Sequence, residues 1–190
     1  MKLLMHICCA NCATYPLSVV KQRGITVTGL WFNPNIHPYM EYKNRLESLR
    51  KLQQLWDLNI EYNDYYGLQE YLRNVVGNEG GRCEYCYTVR LEQAALKALE
   101  IKADAFSTTL LVSPYQKFDM IIDIGRLMQD RYAVEFYAED FRSGFREGRK
   151  TAKTMDLYSQ QYCGCIYSEM ERYLRKCQSI KVSELKNKYT

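Results

Sequence analysis

Hydrophobic and polar positions along the chain alternate between short apolar runs and longer segments of helical spacing. Runs rich in apolar, β-branched and aromatic residues predict strands over 2–7, 25–32, 58–62, 104–109 and 133–137. Helical spacing of apolar residues and good helix formers predict helices over 13–23, 39–57, 68–76, 84–100 and 118–131. Pro16 in the first turn and Gly24 just past the end are typical limits of the first helix.

This alternation predicts an α/β fold with a parallel sheet, helices on both faces and a helical C-terminal part. The 190 residues contain no linker and no internal repeat, so we expect a single domain over 1–190. No apolar segment approaches the roughly 18 residues of a membrane span, and the N-terminus lacks the features of a secretory signal. We therefore expect a cytoplasmic protein with no membrane partner.

The cysteine content is unusual for that compartment. Thiols stay reduced in the cytoplasm, where clustered cysteines usually bind metal or take part in redox chemistry. Seven of the eight form three groups at or near predicted helix starts: Cys8, Cys9 and Cys12; Cys83 and Cys86; Cys163 and Cys165. Helix N-termini stabilise thiolates, and open α/β sheets place their sites at the carboxyl ends of strands. We expect the three groups to converge on one site and the isolated Cys177 to be structural.

The spacing leaves several kinds of cysteine site open. Buried structural cysteines, a structural zinc site and a thioredoxin-like pair each explain part of the pattern. We favour an iron–sulfur centre assembled from distant parts of the chain, because four thiolates hold a [4Fe–4S] cluster. Seven thiolates leave three beyond those four, which predicts an additional mononuclear iron with an open position. The predicted cofactor-binding residues are Cys8, Cys9, Cys83, Cys86, Cys163 and Cys165, and Cys12 joins them as a metal ligand.

Six motifs, taken together, resemble the QueH-type epoxyqueuosine reductases. They are HICCANC at 6–12, FNPNIHP at 32–38 with Glu41, Tyr42 and Arg45, CEYC at 83–86 with Arg90, TTLLVSPYQK at 108–117, DFR at 140–142 and YCGCIYS at 162–168. The motifs extend over most of the chain in the family's order. Asn11 is a departure, since the family pattern has proline at this position. The resemblance implies a PP-loop or HUP-like, Rossmann-like fold in which CCANC replaces the phosphate-binding loop.

The same resemblance implies an activity and a partner. We expect an iron–sulfur-dependent oxidoreductase that reduces epoxyqueuosine to queuosine at the wobble position of tRNA, the last step of queuosine biosynthesis. Its partner would be the anticodon loop that carries epoxyqueuosine. An external low-potential electron donor is expected because the chain has no glycine-rich nicotinamide or flavin motif. The alternatives are a zinc-stapled RNA-binding module and an ATP-dependent PP-loop tRNA-modifying enzyme; the missing SGGxDS-like loop argues against the latter.

Other polar residues are candidates for proton transfer and RNA binding. His37, Tyr115 and Lys117 are the predicted catalytic residues, because each could donate a proton to the substrate. His6 lies inside an apolar strand and is expected to be a core residue. The net charge of +4 is only weak support for a nucleic-acid partner. A basic stretch interleaved with Phe141 and Phe145 fits either a solvated face or contact with RNA: Arg142, Arg146, Arg149, Lys150 and Lys153.

Overall fold

The computed structural model describes residues 1–174, and within them the chain forms a five-stranded parallel sheet. The strands are β1 (Lys2–His6), β2 (Thr26–Trp31), β3 (Ile60–Tyr62), β4 (Ala105–Thr108) and β5 (Glu135–Phe136). They are ordered β3-β2-β1-β4-β5, and every neighbouring pair is parallel. This order is the one found in Rossmann-like folds. The predicted α/β class and parallel sheet are therefore confirmed.

Helices connect the strands and cover the sheet. They are α1 (Ala10–Gln22), α2 (Tyr39–Trp56), α3 (Leu68–Val75), α4 (Arg82–Glu100), α5 (Phe118–Tyr132) and α6 (Phe145–Thr154), and residues 166–174 are helical as well. Helix α1 packs against α2 and α6, and α4 packs against α5. Right-handed crossovers place α1 and α2 on one face of the sheet and α4 and α5 on the other. Up to residue 174, none of the helices combines the length and apolar character needed to cross a membrane.

The first helix begins earlier than its pattern predicts. It starts at Ala10 rather than residue 13, because Cys9 adopts extended backbone geometry and its sulfur accepts the Cys12 N–H at 3.4 Å. A side chain that accepts an N–H at this position caps the helix. Pro16 consequently lies inside the helix and not in its first turn. Cys177 lies outside the described residues, so its predicted structural role stays a prediction.

The carboxyl ends of the two central strands lie side by side. In the register of β1 and β4, His6 is opposite Thr108, and the His6 Nδ1 lies 2.9 Å from the Thr108 Oγ1. The other ring nitrogen of His6 lies 3.2 Å from the Phe32 carbonyl oxygen. Burial lowers the pKa of His6 to about 4, so the ring is neutral at pH 7. His6 is the hydrogen-bonded core residue that the sequence predicts, and the segments that follow β1 and β4 start next to each other.

Candidate metal centre and cavity

The residues after β1 form a compact group of thiols, which we call the three-cysteine group: Cys8, Cys9 and Cys12. Their sulfurs all lie within 4.8 Å of one another, and all three side chains are buried. Thr109, directly after β4, contacts this group through its hydroxyl, which both accepts and donates a hydrogen bond. Its Oγ1 accepts the Cys8 backbone N–H at 3.1 Å, and its hydroxyl donates to the Cys8 sulfur at 3.4 Å. The adjacency of the two central strands therefore places this group.

The three thiols differ in their readiness to ionise. Hydrogen bonds from Cys12 and Cys9 hold the pKa of Cys8 well below its usual range. Burial raises the pKa of Cys9, and the hydrogen bond to Cys8 raises the pKa of Cys12. The group thus combines one thiol of lowered pKa with two thiols of raised pKa, at a helix N-terminus that favours negative charge. A soft metal that displaces the thiol protons would find three sulfur ligands, a donor set that fits iron or zinc.

The other four clustered cysteines form a second set, which we call the four-cysteine group: Cys83, Cys86, Cys163 and Cys165. The first two lie in the first turns of α4, and the last two directly precede the helix over 166–174. The pKa of Cys86 is raised to about 12. Burial is the main cause, and the charges of the other three cysteines act in the same direction. Among the described residues, no three of these sulfurs are as close together as those of the three-cysteine group.

Each cysteine group receives a hydrogen bond from a glutamine amide. The Gln160 Nε2 donates to the Cys9 sulfur at 2.9 Å, and the Gln116 Nε2 donates to the Cys163 sulfur at 3.1 Å. Asn11 orients Gln160, because its Nδ2 donates to the Gln160 Oε1 at 3.2 Å. Donors to a ligand sulfur stabilise its negative charge and tune the bound metal. Neither glutamine is among the site residues predicted from the sequence: Gln160 lies three residues before Cys163, whereas Gln116 lies in the TTLLVSPYQK motif, far from any cysteine in the chain.

Two arginines are buried beside the cysteines, each only 2% exposed. Arg45 on α2 donates from Nε to the Glu41 carboxylate at 2.7 Å, and from its two Nη atoms to the carbonyls of Tyr162 and Cys163, both at 2.9 Å. Arg45 therefore ties the loop that carries Cys163 to the helix after β2. Arg90 on α4 donates from Nη2 to the Cys86 sulfur at 2.8 Å and from Nε to the Cys86 carbonyl at 3.0 Å.

A cavity of about 690 Å³ opens between the two cysteine groups. Cys8 and Cys12 of the three-cysteine group and Cys163 of the four-cysteine group line it. Its remaining walls are polar, aromatic and basic, with Asn11, Gln116, Gln160, Glu171, Tyr115, Phe145, Tyr162, Arg45, Arg149 and Arg172 among them. Cavities of this size hold ligands the size of a nucleoside or a drug. The structure thus brings residues of both cysteine groups to one cavity beside the carboxyl ends of the central strands.

The family model for epoxyqueuosine reductase QueH matches residues 3–171. The chain belongs to the epoxyqueuosine reductase QueH family. The QueH relative from Dehalococcoides mccartyi is 40% identical over 172 residues, which cover 90% of this chain and 94% of the relative. The QueH relative from Thermotoga maritima is 34% identical over 178 residues, with 89% and 91% coverage. A solved structure, described as a predicted subunit of a tRNA methyltransferase from Methanocaldococcus jannaschii, matches with a TM-score of 0.48 and 12% identity, covering 93% of this chain and 88% of that one.

In this QueH family member the three predicted catalytic residues lie in different surroundings. Tyr115 lines the cavity, is 81% exposed, and its ring centre lies 5.7 Å from that of Phe145. Lys117 occupies the N-cap position of α5 without a capping side-chain hydrogen bond, and it is not among the described residues that line the cavity. His37 is fully buried, packs on Tyr71 with ring centres 4.9 Å apart, and also lies off the cavity walls. Burial lowers the pKa of His37 to about 4, so its position does not favour proton donation.

The basic stretch of this QueH family member divides into two parts. Arg142 pairs with Asp140 at 2.6 Å and lies over the Phe118 ring at 4.0 Å. Phe141 is buried in the core, so the expectation that it could stack on RNA is wrong; its ring packs inside the fold instead. Phe145 and Arg149, by contrast, line the cavity, with the guanidinium 5.8 Å from the ring centre. Of this stretch, Phe145 and Arg149 are therefore the residues that line the cavity.

Proposed function

We propose that this QueH family member reduces epoxyqueuosine to queuosine at the wobble position of tRNA, the last step of queuosine biosynthesis. The observation that carries the proposal is the cavity that Cys8, Cys12 and Cys163 line together, because it joins a nucleoside-sized space to both cysteine groups. The reaction removes the epoxide oxygen as water, consumes two electrons and two protons, and leaves an alkene. An external low-potential donor would supply the electrons in the cytoplasm.

The donor sets support two metal groups. The four-cysteine group would hold a [4Fe–4S] cluster, since it offers four cysteine sulfurs, the number that such a cluster takes as ligands. The three-cysteine group would hold a mononuclear iron with a position left for substrate. When bound, these groups supply single electrons and Lewis-acid polarisation of the epoxide oxygen. We divide the seven cysteines into groups of four and three because of where they lie in space. The sequence pattern alone left open which cysteine would bind which metal group.

The chain's own residues prepare the cavity for this chemistry. Arg45 holds the Cys163 loop through two carbonyl contacts, and Gln116 and Gln160, which both line the cavity, donate to the sulfurs of Cys163 and Cys9. These fixed donors are in place before the reaction and cost no reorganisation when negative charge builds up. Of the three predicted proton donors, Tyr115 is the one with its side chain at the cavity, and we assign it that role. His37 and Lys117 stay as predictions with less geometric support.

The cavity mouth supports binding of the anticodon loop. Arg149 and Arg172 line it together with the rings of Phe145 and Tyr115. Single-stranded RNA loops are bound through stacking of splayed bases on aromatic rings and through arginine contacts to phosphates. We propose that the wobble nucleoside enters the cavity while its neighbours stay at this aromatic and basic rim. The paired Arg142 would contribute less than Arg149.

A single assay tests the proposed reaction. Anaerobically reconstituted protein is incubated with tRNA that carries epoxyqueuosine and with a chemical low-potential reductant, and the digested nucleosides are analysed by mass spectrometry. We expect queuosine, with one oxygen atom less than the substrate, and no requirement for ATP. Cys163→Ser, shown to be folded, is the control that should lose turnover. Iron-loaded wild-type protein that leaves epoxyqueuosine unchanged would contradict the proposal.

The anaerobically reconstituted protein also distinguishes the proposed function from its two alternatives. A colourless zinc protein that binds tRNA without turnover would indicate the zinc-stapled RNA-binding module. Turnover that depends on ATP would indicate an enzyme of the PP-loop type. A brown protein with sulfide-bound iron, active without ATP, is the result that we expect.

A further inference from the structure

Arg90 is a buried cation whose hydrogen bonds go to Cys86. Its side chain is 2% exposed, and among residues 1–174 no Asp or Glu oxygen lies within salt-bridge distance of it. A guanidinium keeps its charge in a protein, and removing that charge from water is costly unless an anion compensates it. Among the described residues, the group that balances the charge of Arg90 is therefore not a carboxylate.

Arg45, the other buried arginine beside the cysteines, has a different kind of partner. Arg45 is equally buried, but its guanidinium meets the Glu41 carboxylate at 2.7 Å. At Arg90 the hydrogen-bond acceptors are the Cys86 sulfur at 2.8 Å and the Cys86 carbonyl oxygen at 3.0 Å, and the guanidinium carbon lies 5.8 Å from the centre of the Tyr87 ring. The charged nitrogen thus points at a sulfur of the four-cysteine group, where a carboxylate would stand in an ordinary ion pair.

Arg90 is also placed to interact with both cysteine groups. Burial acts to lower the pKa of Arg90, but the charges of Cys86, Cys163 and Cys8 outweigh it, so its pKa lies above the usual value. Cys86 and Cys163 belong to the four-cysteine group, and Cys8 belongs to the three-cysteine group. The buried charge therefore lies where the electrostatic fields of the two groups overlap.

We propose that Arg90 is a positioning residue whose charge balances the anionic metal–thiolate centre of the four-cysteine group and raises its reduction potential. Each electron added to such a centre adds negative charge, and a guanidinium in a low-dielectric interior stabilises the more negative state. Its hydrogen bond to Cys86 also holds that sulfur in one orientation. The identity of the centre rests on the proposed function, whereas the need for a compensating anion does not.

The test compares three variants of anaerobically reconstituted protein in a spectroscopically monitored redox titration without tRNA. Arg90→Met removes the charge but fills similar volume without a buried polar group, so it should fold. We expect Arg90→Met to shift the potential of the four-cysteine group's centre to a more negative value, and Arg90→Lys to keep most of the wild-type potential. Arg126→Gln, which removes one charge from an exposed position on α5, is the matched control and should leave the potential unchanged.

A second measurement needs no iron–sulfur cluster. Cobalt(II) is titrated into the metal-free proteins at one pH, and its thiolate absorption bands report binding. We expect Arg90→Met to weaken cobalt binding by about 10- to 100-fold, as loss of an outer hydrogen-bond partner of a metal ligand typically does. If Arg90→Met does not fold, Arg90→Gln takes its place with the same expectation in both measurements.

Folded Met or Gln variants with wild-type potential and wild-type cobalt affinity would overturn the inference. A Lys variant shifted as far as the neutral variants would also overturn it, because the charge would then not be the cause. Neither measurement involves epoxyqueuosine. Protein that fails to reduce epoxyqueuosine but shows the Arg90-dependent shift would refute the proposed reaction and leave this inference standing.

Discussion

Arg45 on α2 donates to the carbonyl oxygen of Cys163 at 2.9 Å, and this bond joins residues 118 positions apart in the chain. The same guanidinium is paired with Glu41 and is almost fully buried. One arginine thus connects the helix after β2 to the loop that lines the far side of the cavity. This contact makes the stability of the fold and the placement of a predicted metal ligand depend on each other.

Replacing Arg45 should destabilise the protein strongly. Arg45→Ala leaves the Glu41 carboxylate buried without its cation, and breaking a buried ion pair in this way costs about 3–5 kcal/mol. Denaturant unfolding of the metal-free protein measures the change. The double variant Glu41→Leu with Arg45→Met should recover most of that loss, because no charge is then left unpaired. A single variant as stable as wild type would show that the pair does not have this role.

Gln160 and Gln116 should affect different metal groups. Gln160→Leu removes the donor to Cys9 and should weaken metal binding by the three-cysteine group about 10- to 100-fold, with little effect on the four-cysteine group. Gln116→Leu, which removes the donor to Cys163, should weaken metal binding by the four-cysteine group and have little effect on the three-cysteine group. Iron and sulfide analysis after reconstitution distinguishes the two cases. Identical losses in both variants would contradict the division of seven cysteines into groups of three and four.

The hydroxyl of Tyr115 should matter for turnover more than for binding. If Tyr115 donates a proton, Tyr115→Phe lowers kcat by about 10² to 10⁴-fold and keeps the affinity for tRNA, because the ring remains against Phe145. Single-turnover kinetics measure the rate of the chemical step, and filter binding measures the affinity for tRNA. Unchanged turnover in the Phe variant, with weaker tRNA binding in Tyr115→Ala, would assign Tyr115 to base stacking instead.

Arg149 and Arg142 should differ in their contribution to tRNA binding. Arg149 lines the cavity and, if it contacts a phosphate, Arg149→Ala should reduce the slope of log affinity against log salt by about 1. Arg142→Ala is the matched control on the same basic stretch, and its pairing with Asp140 predicts a smaller change. Fluorescence anisotropy with an anticodon stem-loop over a range of salt concentrations checks this. Equal slopes for Arg149→Ala and wild type would remove Arg149 from the interface.

Local sequence determined the elements and the positions of the cysteines along them. Strands β1 to β5 and helices α1 to α5 follow from the spacing of apolar residues and from breakers such as Gly24, because side-chain periodicity is a property of neighbouring residues. Helix α6 lies in the part that the sequence predicts to be helical without bounds. The three cysteine motifs lie at helix starts for the same local reason. The sequence pattern placed the start of α1 three residues late, since proline at a helix start is a weaker signal than the cap made by Cys9.

Only the tertiary structure decided which of these residues meet. The hydrogen bonds of Gln160 to Cys9 and of Arg45 to Cys163 join parts of the chain separated by more than a hundred residues, and no local pattern records them. Burial likewise separates Phe141 from Phe145, although both carry the same aromatic ring four positions apart. The physical reason is that hydrogen-bond partners and burial depend on how the sheet and its helices pack in three dimensions, whereas propensity and periodicity act over a few residues along the chain.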